Sequence, residues 1–173
     1  TLFRRLAKLF NGASLIGDAR IINYFKWIDQ RLLSSLYTDA FRHEISADLA
    51  EQPMIDFLKT AHSESTDLDK MLALEQRFFT TNHNLAYTDK MSMATGVEVR
   101  VPFLAKDLVE FAASIPDNMK QKGGEGKWIF KKTMERYLPK EIIYRPKTGF
   151  GAPLRNWLQF DLNDYVEDLL GHS

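Results

Sequence analysis

The sequence contains no cysteine. Disulfide frameworks, cysteine-ligated zinc sites and thiol nucleophiles are therefore excluded. Glycine and proline are scarce, at 9 and 6 of 173 residues, which rules out a collagen-like or low-complexity chain. A bilayer span needs about 18 consecutive apolar residues, and no stretch approaches that. Net charge is missing as well, since 23 Lys and Arg balance 23 Asp and Glu. A neutral total gives no global case for nucleic acid or an anionic membrane. Position 1 is Thr rather than an initiator Met, and residues 1–10 lack the apolar run of a signal peptide. The sequence therefore reads as a piece of a longer chain, and the lack of cysteine and signal fits the cytoplasm.

What remains is a globular composition suited to one domain, with 45% hydrophobic residues to fill a core. The neutral total hides a polarity. Residues 38–75 hold nine acids and three bases, a net −6, and residues 118–147 hold nine bases and three acids, a net +6. On charge alone these read as two solvated faces. The sharper reading is that the basic segment meets an anionic ligand.

Helical periodicity dominates. Leu2, Leu6, Leu9 and Phe10 form one stripe, and Ile22, Phe25, Ile28, Leu32 and Leu36 a longer one. Pro53 suits the first turn of a helix that lines up Met54, Phe57, Leu58 and Ala61. Thr66 is placed to cap a helix with the stripe Leu68, Met71, Leu72 and Phe78, with Asp67 and Asp69 at its positive end. Phe78 and Phe79 read as core. Lys90 to Ala94 form a short helix that Gly96 can end in the left-handed conformation. From Val97 to Leu104 the period becomes two, but Pro102 argues against a central strand. An extended connection pinned by buried Val97, Val99 and Val101 is expected, with Glu98 and Arg100 on one face and Arg100 locking the loop.

Leu108, Phe111, Ala112 and Ile115 mark another helix, stopped by Pro116. Lys122-Gly123-Gly124-Glu125-Gly126-Lys127 then reads as a flexible, glycine-rich lead into a helix that starts near Trp128 and ends near Pro139. Open N–H groups at such a start attract anions, and glycine lets a ligand approach the backbone. It is not a Walker loop, because Gly126-Lys127 is followed by Trp128 rather than Ser or Thr. Tyr144 to Leu154 is a turn-rich loop whose Arg145 and Lys147 are close enough in sequence to serve one anion. A last helix carries Leu162, Tyr165, Val166 and Leu169. The four histidines, His43, His62, His83 and His172, have no ligand spacing, so no metal site is expected. No Gly-x-Ser-x-Gly elbow is present.

The run Thr88-Asp89-Lys90-Met91-Ser92-Met93-Ala94, followed by Gly96-Val97-Glu98-Val99-Arg100-Val101-Pro102-Phe103-Leu104, resembles the glutamine-dependent asparagine synthetases. So do Gly126-Lys127-Trp128-Ile129, Leu138-Pro139 and Arg145-Pro146-Lys147-Thr148-Gly149-Phe150-Gly151, in the family's order. The resemblance is strong over residues 75–158 and weak before them.

The resemblance implies a mainly α, multi-helix segment of an ATP-pyrophosphatase (adenine nucleotide α hydrolase-like) synthetase domain, 1–173 being one helical segment from its C-terminal part. The resemblance implies that the central sheet is largely missing; the Ser-Gly-Gly-x-Asp-Ser pyrophosphate loop and the glutaminase cysteine do not occur in this sequence. The implied enzyme is a carbon–nitrogen ligase that adenylates aspartate with ATP and transfers glutamine-derived ammonia to it. ATP and Mg²⁺ are the implied cofactors, with Mg²⁺ held mainly by the missing part. By motif, Lys127 corresponds to the family's catalytic lysine at the adenylate and leaving pyrophosphate. Arg145 and Lys147 would join Lys127 on the phosphates, and Asp89, Lys90, Glu98 and Arg100 would be structural near the site. The implied partners are aspartate, ATP, ammonia and the upstream α/β and glutaminase domains. A homodimer is allowed for; nucleic acid and membrane are not expected. Ala105 departs from the family, which has Asp after Pro-Phe-Leu as a helix cap. An amidotransferase for another carboxylate, such as a sugar acid or a β-lactam precursor, stays open, as does a non-catalytic helical binding module. The segment alone is expected to be inactive.

Overall fold

The computed structural model describes residues 6, 10, 12–28, 30–45, 50–146 and 153–171, with backbone alone at 30 and 31. Leu2 and Leu9 of the first expected stripe, Lys147 and His172 lie outside these residues. The described chain is mainly helical, as expected, and two compact units are distinguished, 1–118 and 119–173.

In the first unit, Thr66 begins the longest helical run. Its Oγ1 accepts the Asp69 N–H at 3.1 Å, and Asp69 Oδ2 accepts the Thr66 N–H at 3.3 Å, a capping box. The same hydroxyl donates to Asp117 Oδ2 at 2.6 Å, so it also pins a short helix distant in sequence. Helix Asp67–Leu74 passes without a break into a π-helical stretch, Glu75–Leu85, and then into helix Ala86–Met93. Thr81 Oγ1 donates to the Gln76 carbonyl five residues back, at 2.8 Å, as the wider π turn allows. Gly96 ends the run at φ +70°. Its N–H reaches the Met93 carbonyl and the Val97 N–H the Ser92 carbonyl, both at 3.0 Å, which is the Schellman pattern.

Against this rod pack helices α1 (Gly17–Phe25) and α4 (Gln52–Lys59), the latter opened by Pro53 in its first turn. Between them come α2 (Gln30–Ser35) and α3 (Asp39–Glu44); α5 is Asp67–Leu74 and α6 is Ala86–Met93. Ile21 and Ile22 of α1, Leu58 of α4 and Leu74 of α5 are buried together, flanked by Phe25, Met54, Phe57, Met71 and Phe78. A Lys70–Asp18 ion pair at 2.7 Å ties α5 to α1 at the edge of this core.

Two local features depart from the sequence pattern. Leu72 was expected inward, yet it is exposed and Leu74 is the fully buried residue. Both sets satisfy a spacing of three or four, so only the position of α1 and α4 selects Leu74. The stripe from Ile22 to Leu36 is not one helix. Lys26 turns extended at φ −72°, ψ 123°, and Ile28, Leu32 and Leu36 are exposed. No glycine or proline causes the break. Instead Lys26 pairs with Glu51, and Trp27 lies 5.6 Å from the Phe79 ring and 5.4 Å from the His83 ring.

After α6 the chain turns at 94–96, runs without helix or strand to Val101, makes a 3₁₀ turn at Pro102–Leu104 and enters α7 (Lys106–Ser114) and α8 (Asp117–Lys120). In the second unit, β1 (Gln121–Lys122) pairs antiparallel with β2 (Glu125–Gly126). Then follow α9 (Trp128–Met134), α10 (Lys140–Ile143), α11 (Leu154–Asn156), a π turn at Trp157–Asp161 and α12 (Asn163–Leu170). Every fully buried side chain among the described residues belongs to the first unit.

Ala105 stands at the N-cap of α7 and makes no side-chain cap bond. Ala105→Asp is expected to raise the unfolding free energy by about 1 kcal/mol, read by denaturant titration. Leu74→Ala is expected to lower it by about 2–5 kcal/mol through lost burial and a cavity, against less than about 1 kcal/mol for exposed Leu72→Ala.

Candidate functional site

The glycine-rich stretch is ordered by its own turn chemistry. Gly123 and Gly124 are the two central residues between paired Lys122 and Glu125. Gly123 alone has positive φ, +59°, the signature of the two-residue hairpin turn that needs glycine at its first position. The expected flexible lead into α9 is therefore a short hairpin. Lys122 Nζ lies 4.7 Å from the Trp128 ring centroid, folding the hairpin onto the helix it precedes.

Lys127 occupies the N-cap of α9 at φ 57°, ψ 36°. Among the described residues no other non-glycine has positive φ. A left-handed L-residue costs about 1–2 kcal/mol, and such strain clusters at functional sites. The Lys127 carbonyl accepts the Lys131 N–H at 3.0 Å, which holds the backbone while the side chain stays exposed.

A connected set of charges covers the rest of α9. Glu125 of β2 pairs with Lys131. Lys131 Nζ also lies 5.6 Å from the Tyr144 ring centroid. The Tyr144 phenol donates to Glu135 Oε1 at 2.5 Å, and Lys132 Nζ donates to the same oxygen at 2.7 Å. Lys132, then Tyr144, hold the Glu135 carboxyl below the usual carboxylate range. Glu135 in turn raises Lys132 and raises the Tyr144 phenol, whose proton it accepts. Arg145 follows Tyr144 directly and is exposed. None of Glu125, Lys131, Glu135 or Tyr144 was singled out from the sequence. Only the Lys132–Glu135 spacing of three was a legible signal.

The remaining expected residues lie in the first unit. Asp89 and Lys90 are exposed on α6, where the Asp89 carbonyl accepts the Ser92 hydroxyl at 3.0 Å and the Lys90 carbonyl accepts the Ala94 N–H at 3.1 Å. Glu98 and Arg100 are brought together, Nη2 to Oε1 at 2.9 Å, but both are solvated, and such a pair stabilises little. Val97, Val99 and Val101 were expected to be buried and are exposed. Their connection carries no helix or strand, and none of the three belongs to the buried cluster of Ile21, Ile22, Leu58 and Leu74.

A groove of about 520 Å³ in the first unit is lined by Phe25, Trp27, Met54, Phe78, Phe79 and His83. Phe78 fulfils its expected core role, but Phe79 stacks on His83 with ring centroids 5.0 Å apart. That aromatic lining suits no polyphosphate. Among the described residues no group of three or more His, Asp or Glu is placed to hold a metal, and no helix is long and apolar enough to cross a membrane.

The asparagine synthase family model matches residues 8–173. The chain belongs to the asparagine synthase family. The match reaches well beyond the 75–158 stretch that carried the motif resemblance. Asparagine synthetase [glutamine-hydrolyzing] 1 of Bacillus subtilis is 36% identical over 121 residues, covering 68% of this chain and 19% of that protein. Asparagine synthetase [glutamine-hydrolyzing] 3 of the same organism is 30% identical over 160 residues, covering 83% and 24%. The Mus musculus asparagine synthetase is 30% identical over 128 residues, covering 70% and 22%. The chain thus spans about a fifth to a quarter of the length of these relatives. No solved structure matches it.

In this family member the Tyr144–Glu135 bond has a defined pH window. Glu135 is depressed, so its contribution is present above the ordinary carboxylate value and is lost as pH falls through the lowered one. Tyr144 is raised, so its contribution is present below the ordinary phenol value of about 10 and is lost as pH rises through the raised one. The stability difference between the parent and Tyr144→Phe is expected to plateau across neutral pH and shrink at both extremes. Denaturation series over pH check this, and the difference in phenol absorbance titrations should show one tyrosine ionising late.

Proposed function

We propose that this chain is part of the synthetase half of a glutamine-dependent asparagine synthetase, with both units belonging to one C-terminal helical segment. The observation that carries the reading is Lys127, with its family motif, its strained backbone and its solvent-facing ammonium at the start of α9. The proposed reaction makes asparagine from aspartate, ATP and ammonia. An aspartate carboxylate oxygen attacks the α-phosphorus of ATP and pyrophosphate leaves. Ammonia then attacks the acyl carbon, loses a proton and expels AMP. Negative charge grows on the departing pyrophosphate, and a compact ammonium on a mobile stem is suited to follow it. Arg145, and Lys147 beyond the described residues, would add charge on the same phosphates.

The exposed cations Lys127 and Arg145, in a segment of net +6, fit a polyphosphate. The described residues offer no acidic cluster for Mg²⁺, which is therefore assigned to the upstream α/β part with the pyrophosphate loop. Asp89, Lys90, Glu98 and Arg100, exposed in this chain, would take structural roles only within the full-length domain. Ammonia comes from the glutaminase domain, and the enzyme is placed in the cytoplasm. Large apolar side chains left exposed, among them Phe130, Tyr137, Phe160, Tyr165 and Leu169, are consistent with a segment of a larger domain.

The test is aspartate-dependent pyrophosphate release by the full-length polypeptide that carries this chain. Lys127→Ala is expected to slow it by about 10²–10³-fold, the usual effect of removing one charge-stabilising donor. An unchanged rate removes Lys127 from the mechanism. Residues 1–173 alone are expected to form no AMP from ATP and aspartate.

A further inference from the structure

We infer that Lys131 is a positioning residue that sets both phosphate-facing cations from one helix, an inference that rests on the synthetase reading above. Glu125 stands two residues before Lys127, and its carboxylate is held by the Lys131 ammonium. The Lys131 N–H is bonded to the Lys127 carbonyl at 3.0 Å. Lys127 is thus fixed to one residue by two routes, through the helix backbone and through the hairpin. On its other side the same ammonium lies 5.6 Å from the Tyr144 ring, within cation–π reach. Tyr144 is the neighbour of Arg145, and its phenol is tied to Glu135 at the end of α9.

The side chains involved are half-buried, Lys131 being 25% exposed and Glu125 41%. Single surface pairs of this kind contribute little alone, whereas a network that converges on one ammonium constrains geometry. Lys131 itself has both of its contacts inside the protein. Its role is therefore to hold the segments carrying Lys127 and Arg145 at a set separation along α9. Misplacing a phosphate contact by about 1 Å is enough to slow a reaction about 10²-fold.

The experiment uses the full-length polypeptide and measures pyrophosphate release against ATP and against aspartate. Lys131→Met keeps the apolar stem and removes the charge. It is expected to lower kcat/KM for ATP by about 10- to 100-fold while KM for aspartate stays unchanged. Lys131→Arg retains an ion pair to Glu125 and a cation over Tyr144, so it is expected to restore most of the rate. Parental kcat/KM in Lys131→Met, alongside an impaired Lys127→Ala, overturns the positioning role and leaves the synthetase reading standing. An unimpaired Lys127→Ala removes Lys127 from the mechanism and overturns the positioning role with it, while absence of aspartate-dependent pyrophosphate release from the parent polypeptide overturns the synthetase reading itself. A loss shared equally by ATP and aspartate, tracking the folded fraction in a thermal melt, assigns Lys131 to stability alone and also overturns the role. Should Lys131→Met not fold, Glu125→Gln and Tyr144→Leu carry the test, the second because it removes the ring that the Lys131 ammonium faces. Each is expected to lower kcat/KM for ATP in part, and parental values in both overturn the inference.

Discussion

Leu74 loses all contact with solvent where α5 meets Ile21 and Ile22 of α1 and Leu58 of α4. The packing of α1, α4 and α5 is arranged around that contact. Burying an aliphatic side chain of this size is worth about 1.5–3 kcal/mol, against about 1–2 kcal/mol for fixing each residue's backbone. Polar ties at the edge of the core add to that burial. The Thr66–Asp117 bond, the Lys70–Asp18 pair and the Lys26–Glu51 pair each join segments distant in sequence.

The second unit works by different physics. Among its described residues no side chain is fully buried, and its local geometry rests on turn chemistry and charge. Gly123 closes the hairpin because only glycine takes that φ cheaply. Lys127 takes a comparable φ without being glycine, and holding it there requires support from both sides. The ladder behind it and the Lys131 N–H ahead of it supply that support. The cluster of Lys131, Lys132, Glu135 and Tyr144 then stiffens α9 at its solvent side, where apolar packing does not.

The parts of the site legible in the sequence were those whose chemistry is local. The motif around Lys127 and the glycine at 96 could be named because a family pattern or a backbone constraint acts within a few residues. The uncapped Ala105 was readable for the same reason: an N-cap reaches only its own helix turn. Glu125 and Tyr144 could not be read. Their partners are six and nine residues away, across the strand-to-helix junction at Lys127 and across α10, and no spacing rule links those positions.

For the fold, the sequence alone determined the family, the helical character and the cap residues, since periodicity and capping are written in near neighbours. Tertiary structure alone decided that Leu74 rather than Leu72 faces inward, and that the stripe after Phe25 breaks at Lys26. It also decided that the three valines before Pro102 stay in solvent. In each case local spacing allowed both outcomes. The free energy that separates them comes from which other element, if any, lies against that face.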